Sequence, residues 1–543
     1  MSKFSGYAKK SEADYNKHKD EQVVNFMDGI SYKTNPLLTL KMIAASSIFG
    51  EKSYYKNAGV ETKELNSTTA DFIKACDEAL DFDFEGTLEL ARSLRKEYNM
   101  RLNPALIAVR AVMHKDRPAF NKDHNDFMTL VLDDIINIPT DIWNQFELWM
   151  FFNGTKNKLP SILKRIWAYE LNKTKKYQLN KYKEKAKIID LVRICHAHSN
   201  DIDELMKTGK LEVSEDEETW EKLRSAGKTW TEILQATYIP HMALLRNLRN
   251  IFQEIEDKEV CNQVLKLLED GVIKGKQFPF RYWSALKSIK EASGIKFASS
   301  LIESLNRCLD KAMENFPKLK GKTICLSDNS GSAWGAFTTE YGSVKVAEID
   351  NLSSVMTAFN SDEGQVGIFG DDLKIVDINK RDGVLSQTAA LDPISRNIGG
   401  STENGIWLFF DKAIKEKLYY DNIFIYSDQQ AGHGGLYGIN FREYRNYLYR
   451  EGSRYIDVLA LAQEYRRKVN PKVNIFSVQT AGYDNSVMPE NDYRTSILTG
   501  WTGNEAIYAK ALIDIWNQME PEKQDKVEKV SNIKIKTSPK SCK

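Results

Sequence analysis

Oxygen-bearing side chains stand on three loops that could meet at one point. Asp328, Ser330 and Ser332 fall in Asp328-Asn329-Ser330-Gly331-Ser332, where alternate residues give one carboxylate and two hydroxyls directly after the apolar run TICLS. Ser401 and Thr402 follow Gly399-Gly400 just ahead of a helical run, and either hydroxyl is available as a ligand. Asp428 closes the run DNIFIYSD. Hard oxygen atoms without thiol or imidazole suit Mg²⁺, a divalent cation that keeps several waters, better than zinc. An Asp-Asn-Ser-Gly loop on its own is most often a plain turn.

A second chemistry lies in the distribution of charge. The net charge is only +1, yet between Thr155 and Lys187 there are eleven Lys or Arg against two Glu, Glu170 and Glu184. Trp167, Tyr169, Tyr177 and Tyr182 are interleaved with them. A solvated helix face normally alternates its signs. Like charges this dense repel one another unless an anion such as a phosphate is near. Arg165 and Lys164 extend the patch, while Trp167 and Tyr169 are expected to pack inward rather than stack on bases.

Other motifs fail on context. Gly321-Lys322-Thr323 resembles the end of a phosphate-binding loop, but position 316 is Phe, the strand follows rather than precedes it, and the glycine spacing is wrong. Gly370-Asp371-Asp372 reads as a hairpin turn, and Gly432-His433-Gly434-Gly435 as a loop flanking Asp428. Cys195, His196 and His198 lack further ligands at zinc spacing. The six cysteines form no CxxC pair and are expected to be reduced and mostly buried. No order of Ser, His and Asp suggests a nucleophile, so no catalytic residue is expected. The start of the chain has no apolar signal core and no run is long enough to span a membrane, which predicts a cytoplasmic protein.

The elements that must position these residues change character near Lys318. At 543 residues the chain is too long for one core. From about 35 to 315 apolar residues recur every three or four positions, predicting helices over 103–114, 123–135, 141–152, 159–171, 187–197, 240–251, 257–269 and 298–315. Helices with short links stack as antiparallel pairs, as in a solenoid. Strands are predicted at 323–327, 365–370, 373–378, 422–427 and 473–478, alternating with helices at 351–360, 404–417, 455–467 and 504–517. That alternation predicts an α/β, doubly wound sheet whose ligands sit beyond the carboxyl ends of its central strands. The expected division is a helical domain over 1–317, a sheet domain over 318–518 and a flexible basic tail over 519–543.

The three loops resemble the metal-ion-dependent adhesion site (MIDAS) of von Willebrand factor A domains. The resemblance implies Asp328, Ser330 and Ser332 as first-loop ligands, Thr402 as the second and Asp428 as the third, with an open position for a partner's carboxylate. In the helical half, KLPSILKRIWAYELN, KYKEK, DLVRICH, IPHMALLRNLRNIF and FPFRYWSALKS resemble successive blocks of the TROVE module of Ro proteins. Together the two halves resemble the Ro family: an α-helical ring of HEAT-like repeats plus a von Willebrand factor A-like domain. This implies a monomeric, non-catalytic, membrane-free ribonucleoprotein component in RNA quality control. It would bind small structured Y-like RNAs and the 3′ ends of misfolded RNAs, with an exoribonuclease as an associated partner. The implied RNA contacts are Lys181, Lys185 and His196, which would share one face if 181–196 were a single helix. Arg246 and Arg249 are candidates for the ring interior. The competing expectation is a metal-dependent protein-interaction scaffold that binds no RNA. A nuclease using Asp328 is disfavoured by the scarcity of carboxylates for two metals.

Overall fold

A computed structural model describes residues 18–24, 30–45, 67–98, 100–124, 126–154, 156, 159–211, 219–275, 277–314, 316–335, 338–339, 342–399, 405–429, 457–481, 485–490, 492–499 and 504–518. Every element described between Pro36 and Met313 is a helix. Local chemistry sets their ends. The Asp83 carboxylate accepts the Gly86 amide at 2.8 Å, and the Ser199 hydroxyl accepts the Ile202 amide at 3.3 Å. Thr229 and Glu232 cap each other's backbone reciprocally. Gly154 and Gly209 close their helices in the left-handed region, at φ 65° and 70°. Helical periodicity then decides what is buried. The helix Ala298–Met313 hides Leu301, Leu305, Cys308 and Leu309 along one stripe.

The strands are β1 (Gln22–Val24), β2 (Ile30–Lys33), β3 (Leu319–Asp328), β4 (Thr338–Thr339), β5 (Gly342–Ser343), β6 (Ser361–Phe369), β7 (Leu373–Asp377), β8 (Asn422–Ser427), β9 (Asn474–Gln479), β10 (Asn485–Ser486) and β11 (Thr495–Thr499). Six form one sheet in the order β7-β6-β3-β8-β9-β11. All neighbours in it are parallel except β6 and β7, whose antiparallel pairing makes Gly370-Asp371-Asp372 the expected hairpin turn. Counted within this sheet alone, the order is 3-2-1-4-5-6, the doubly wound arrangement whose direction reverses between β3 and β8. The alternate residues of β3 and β8 face two cores: Cys325, Phe424 and Tyr426 on one side, Ile324, Leu326, Ile423 and Ile425 on the other. Helices Val346–Phe359, Val384–Asn397 and Asn504–Gln518 cover the first face, and Gly405–Glu416 and Val458–Lys468 the second.

The helical array is itself divided. One core runs from Leu40 to Leu211, while Trp230 to Met313 share a core with the first face of the sheet. Both ends of the array rest on the sheet. At the late end Lys287 pairs with buried Glu348 at 2.7 Å, and Asn306 accepts the Ser386 amide at 3.1 Å. At the early end the Tyr508 hydroxyl donates to Glu97 at 2.9 Å and Asn35 donates to Glu490 at 2.7 Å. The β2 strand pairs with β10, which lies between β9 and β11 in the chain. The array therefore leaves and rejoins the same body.

Candidate functional site

Asp328 ends β3 and Asp428 directly follows β8, so the two carboxylates flank the point where the strand order reverses. Both are buried, as is Ser330, whereas Ser332 is exposed. Asp328 accepts the Ser330 amide at 2.9 Å and the Ser427 hydroxyl at 2.6 Å, and the Ser330 and Ser332 hydroxyls lie 3.2 Å apart. Burial, with the Asp428 charge second, pushes the Asp328 carboxyl up to about 7, against the pull of the Ser427 and Ser330 hydrogen bonds. A polar layer behind the loop holds it in place. Asn351 donates to Asn329 at 3.1 Å and Asn329 donates back at 3.0 Å, while the Ser327 hydroxyl reaches Asn351 at 2.7 Å. The structure thus brings together Asp328, Ser330, Ser332 and Asp428. Ser401, Thr402 and the Gly432–Gly435 loop lie outside the described residues, as do Cys542 and the segment 519–543.

One carboxylate of this neighbourhood is absent from the sequence expectation. Asp350, in the helix Val346–Phe359, is fully buried, and among the described residues neither of its oxygens has a hydrogen-bond partner. Burial raises its carboxyl well above the usual range, and the charges of Asp328 and Asp428 add to this. The Thr480 hydroxyl lies near enough to oppose the shift without completing a hydrogen bond. The sequence signal was an Asp inside the run AEIDNLSSVM, on a helix buried almost all round. Among the described residues neither Asp328 nor Asp350 has a cationic side chain paired to it. Buried carboxylates beside hydroxyls, without a basic partner, fit a hard divalent cation.

A different cluster, Asp81, His114 and Asp116, brings its ligand atoms within 4.8 Å of one another. Its two acids are exposed and Lys115 already holds Asp81 at 2.6 Å, so ordinary surface pairing explains it.

The basic stretch is built differently. Trp167 is fully buried with its indole N–H on Gln145 at 2.8 Å, as expected. Tyr169 is not in the core. It is 54% exposed with Lys173 over its ring at 3.8 Å, because helical spacing turns it to the solvent side with Arg165. The premise of one continuous helix over 181–196 is also corrected. Helix Lys176–Tyr182 stops, residues 183–187 form a turn, and Lys187 enters the left-handed region at φ 42° before Ile188–Cys195 begins. Lys185 and His196 therefore stand at opposite ends of a two-turn helix, roughly 12 Å long at the usual rise.

The exposed cations of this face are unequally free. Lys181 pairs with Glu221 at 3.3 Å, Lys176 with Glu204 at 3.0 Å, and Lys183 donates to the Gly209 carbonyl at 3.1 Å. Lys185, Arg165 and Lys164 have no ion-pair partner among the described residues. His196 is exposed at the helix end, itself left-handed at φ 58°. The helix Ser161–Lys173 packs along Ile188–Cys195, and the His198 amide donates to Asn172 at 3.0 Å. Lys164 is close enough to Cys195 for its charge to act on that thiol. Arg165 and His196 thus lie on, and at the end of, two helices that pack together, and Lys185 lies on the turn that leads into the second of them. Arg246 and Arg249 are exposed on a separate helix, His241–Glu254.

Residues 200–361 match the TROVE domain family. That span contains Arg246 and the blocks around it, and ends before Asp428; Arg165, Lys181, Lys185 and His196 precede it. Six solved chains are similar in structure. One is the crystal structure of the Ro (RSR) protein of Deinococcus radiodurans, with a TM-score of 0.54 and 13% identity, covering 88% of this chain and 99% of that one. No curated protein matches the chain. A helical array anchored at both ends on a doubly wound sheet is thus a Ro-type fold. Residues 200–361 thus match a TROVE domain, and the chain as a whole shares its fold with a bacterial Ro protein.

Proposed function

We propose that this chain is a cytoplasmic, non-catalytic ribonucleoprotein component that binds small structured, Y-like RNAs and takes up the 3′ ends of misfolded RNAs, with an exoribonuclease as a partner. The observation that carries the reading is the set of exposed residues Arg165, Lys185 and His196 along the basic stretch. Among the described residues Arg165 and Lys185 lack acidic partners, and an aromatic ring, Tyr169, stands outward. Phosphates satisfy such a surface, and the ion pair on Lys181 is exposed enough to exchange for one at little cost.

In this reading the sheet domain is von Willebrand factor A-like and its MIDAS-type loops hold one Mg²⁺. Asp328 and Asp428 would supply charge, and Ser330, Ser332 and the Thr402 hydroxyl neutral oxygens. Such a cation neutralises the buried carboxylates and ties the three loops together. Sequencing the RNA that copurifies with the chain tests the reading. Enrichment of discrete small structured RNAs is expected, and RNA no different from a mock purification would count against it.

A further inference from the structure

We propose that Asp350 is a third internal carboxylate of the divalent-cation site, so that the chain binds its cation without a carboxylate from a partner. This rests on reading Asp328 and Asp428 as ligands, and adds a residue that the three-loop motif does not contain. Asp350 lies one turn into the helix Val346–Phe359, and that turn is fixed against the first loop. The Ala347 amide donates to the Ala333 carbonyl at 3.0 Å, and Asn351 is bound to both Ser327 and Asn329, which flank Asp328. Burial of a carboxyl with neither oxygen satisfied is costly, and an apolar residue there would carry no such cost.

Among the described residues no basic group is paired with it. Lys287, on the helix Pro279–Glu291, is taken up by Glu348, two residues before Asp350, at 2.7 Å. Among the described residues the Ser354 and Thr480 hydroxyls are likewise buried without partners. Thr480 is anchored at the same edge, its amide donating to the Ser427 carbonyl at 3.1 Å beside Asp428. Two unpaired hydroxyls and a carboxylate near two further carboxylates are what a hydrated hard cation satisfies, directly or through its waters. Three carboxylates more than balance a divalent charge, which removes the electrostatic need for a fourth from outside.

The test is calorimetric titration of Mn²⁺ into the full chain and into Asp328→Ala, Asp350→Asn and Asp350→Ser. The full chain binds, Asp328→Ala does not, and both Asp350 variants bind about 10- to 100-fold more weakly. Their metal-free melting temperature is not lowered, which separates loss of a ligand from loss of fold. Asp350 variants that bind within about twofold of the parent, well short of that loss, overturn the proposal while leaving the Asp328 site standing. Variants that melt lower without metal, in step with their weaker binding, overturn it in favour of a packing role. Acetate that strengthens Mn²⁺ binding to the full chain overturns it in favour of a site left open for a partner. Absence of Mn²⁺ binding to the full chain removes both the site and the proposal.

Discussion

The basic face of the helical array and the carboxylate end of the sheet are both concentrations of like charge, handled in opposite ways. On the helical array Lys185 and Arg165 are exposed, and the pair Lys181–Glu221 sits in solvent, where it contributes at most about 1 kcal/mol. At the sheet Asp328, Asp350 and Asp428 are buried, and their mutual repulsion is held by the fold around them. An exposed cluster waits for its counter-charge at no structural cost. A buried one makes its counter-ion part of the structure. The two should therefore fail independently and with different signatures.

The largest separation is expected from Asp328→Ala. It should abolish Mg²⁺ or Mn²⁺ binding measured by calorimetry while leaving the affinity for structured RNA within the error of the parent. A parallel loss of RNA binding would show that the two regions are coupled through the fold.

Beneath the basic face, Trp167→Ala removes a fully buried indole and leaves Gln145 without its donor. A cost of about 3–5 kcal/mol is expected in urea unfolding. Tyr169→Ala, on the exposed side of the same helix, should stay within about 0.5 kcal/mol. Equal losses for the two would mean that the helix is not oriented as described.

The helical array hides a titratable group of its own. His241 is buried against Tyr282 at 3.1 Å, with Gly271 and Gly275 leaving room for its ring: a Cβ on either would come within 2.5 Å of it. Burial lowers its pKa from 6.5 to about 4. Its contribution is therefore complete above the unfolded value and is lost as pH falls from 6.5 towards 4. Such a shift corresponds to about 3 kcal/mol. Melts across that range should show a flatter pH dependence for His241→Gln than for the parent. An unchanged slope would mean that the imidazole is not buried in its neutral form.

How far these regions were legible in the sequence follows the same contrast. Five of the sheet strands and most helices were readable because apolar periodicity and cap residues are local signals. The sixth strand, Thr495–Thr499, is short and mixed, and the helix Val384–Asn397 carries Pro393 inside it, so both were missed. Asp328, Ser330, Ser332 and Asp428 were legible because strand ends and loop spacing mark them. Asp350 was not, since its meaning lies in burial close to the charges of Asp328 and Asp428 rather than in a pattern along the chain. The break at Lys187 was hidden for a related reason. No Gly or Pro announces the left-handed residue, and in KYKEKAKIID both a turn and a helix are compatible with the local residues.

The most direct test of RNA binding at the helical face is filter binding of a small structured RNA across a salt series. The parent is compared with the Lys181→Ala, Lys185→Ala double variant and with His196→Ala. If both lysines neutralise phosphates, the double variant should bind more weakly, and its log-log salt slope should fall by roughly 1.4 to 1.8. His196→Ala should weaken binding with a smaller change of slope, since an imidazole can contribute a hydrogen bond or stacking contact to RNA. A double variant that keeps both the affinity and the slope of the parent would contradict RNA binding at this face.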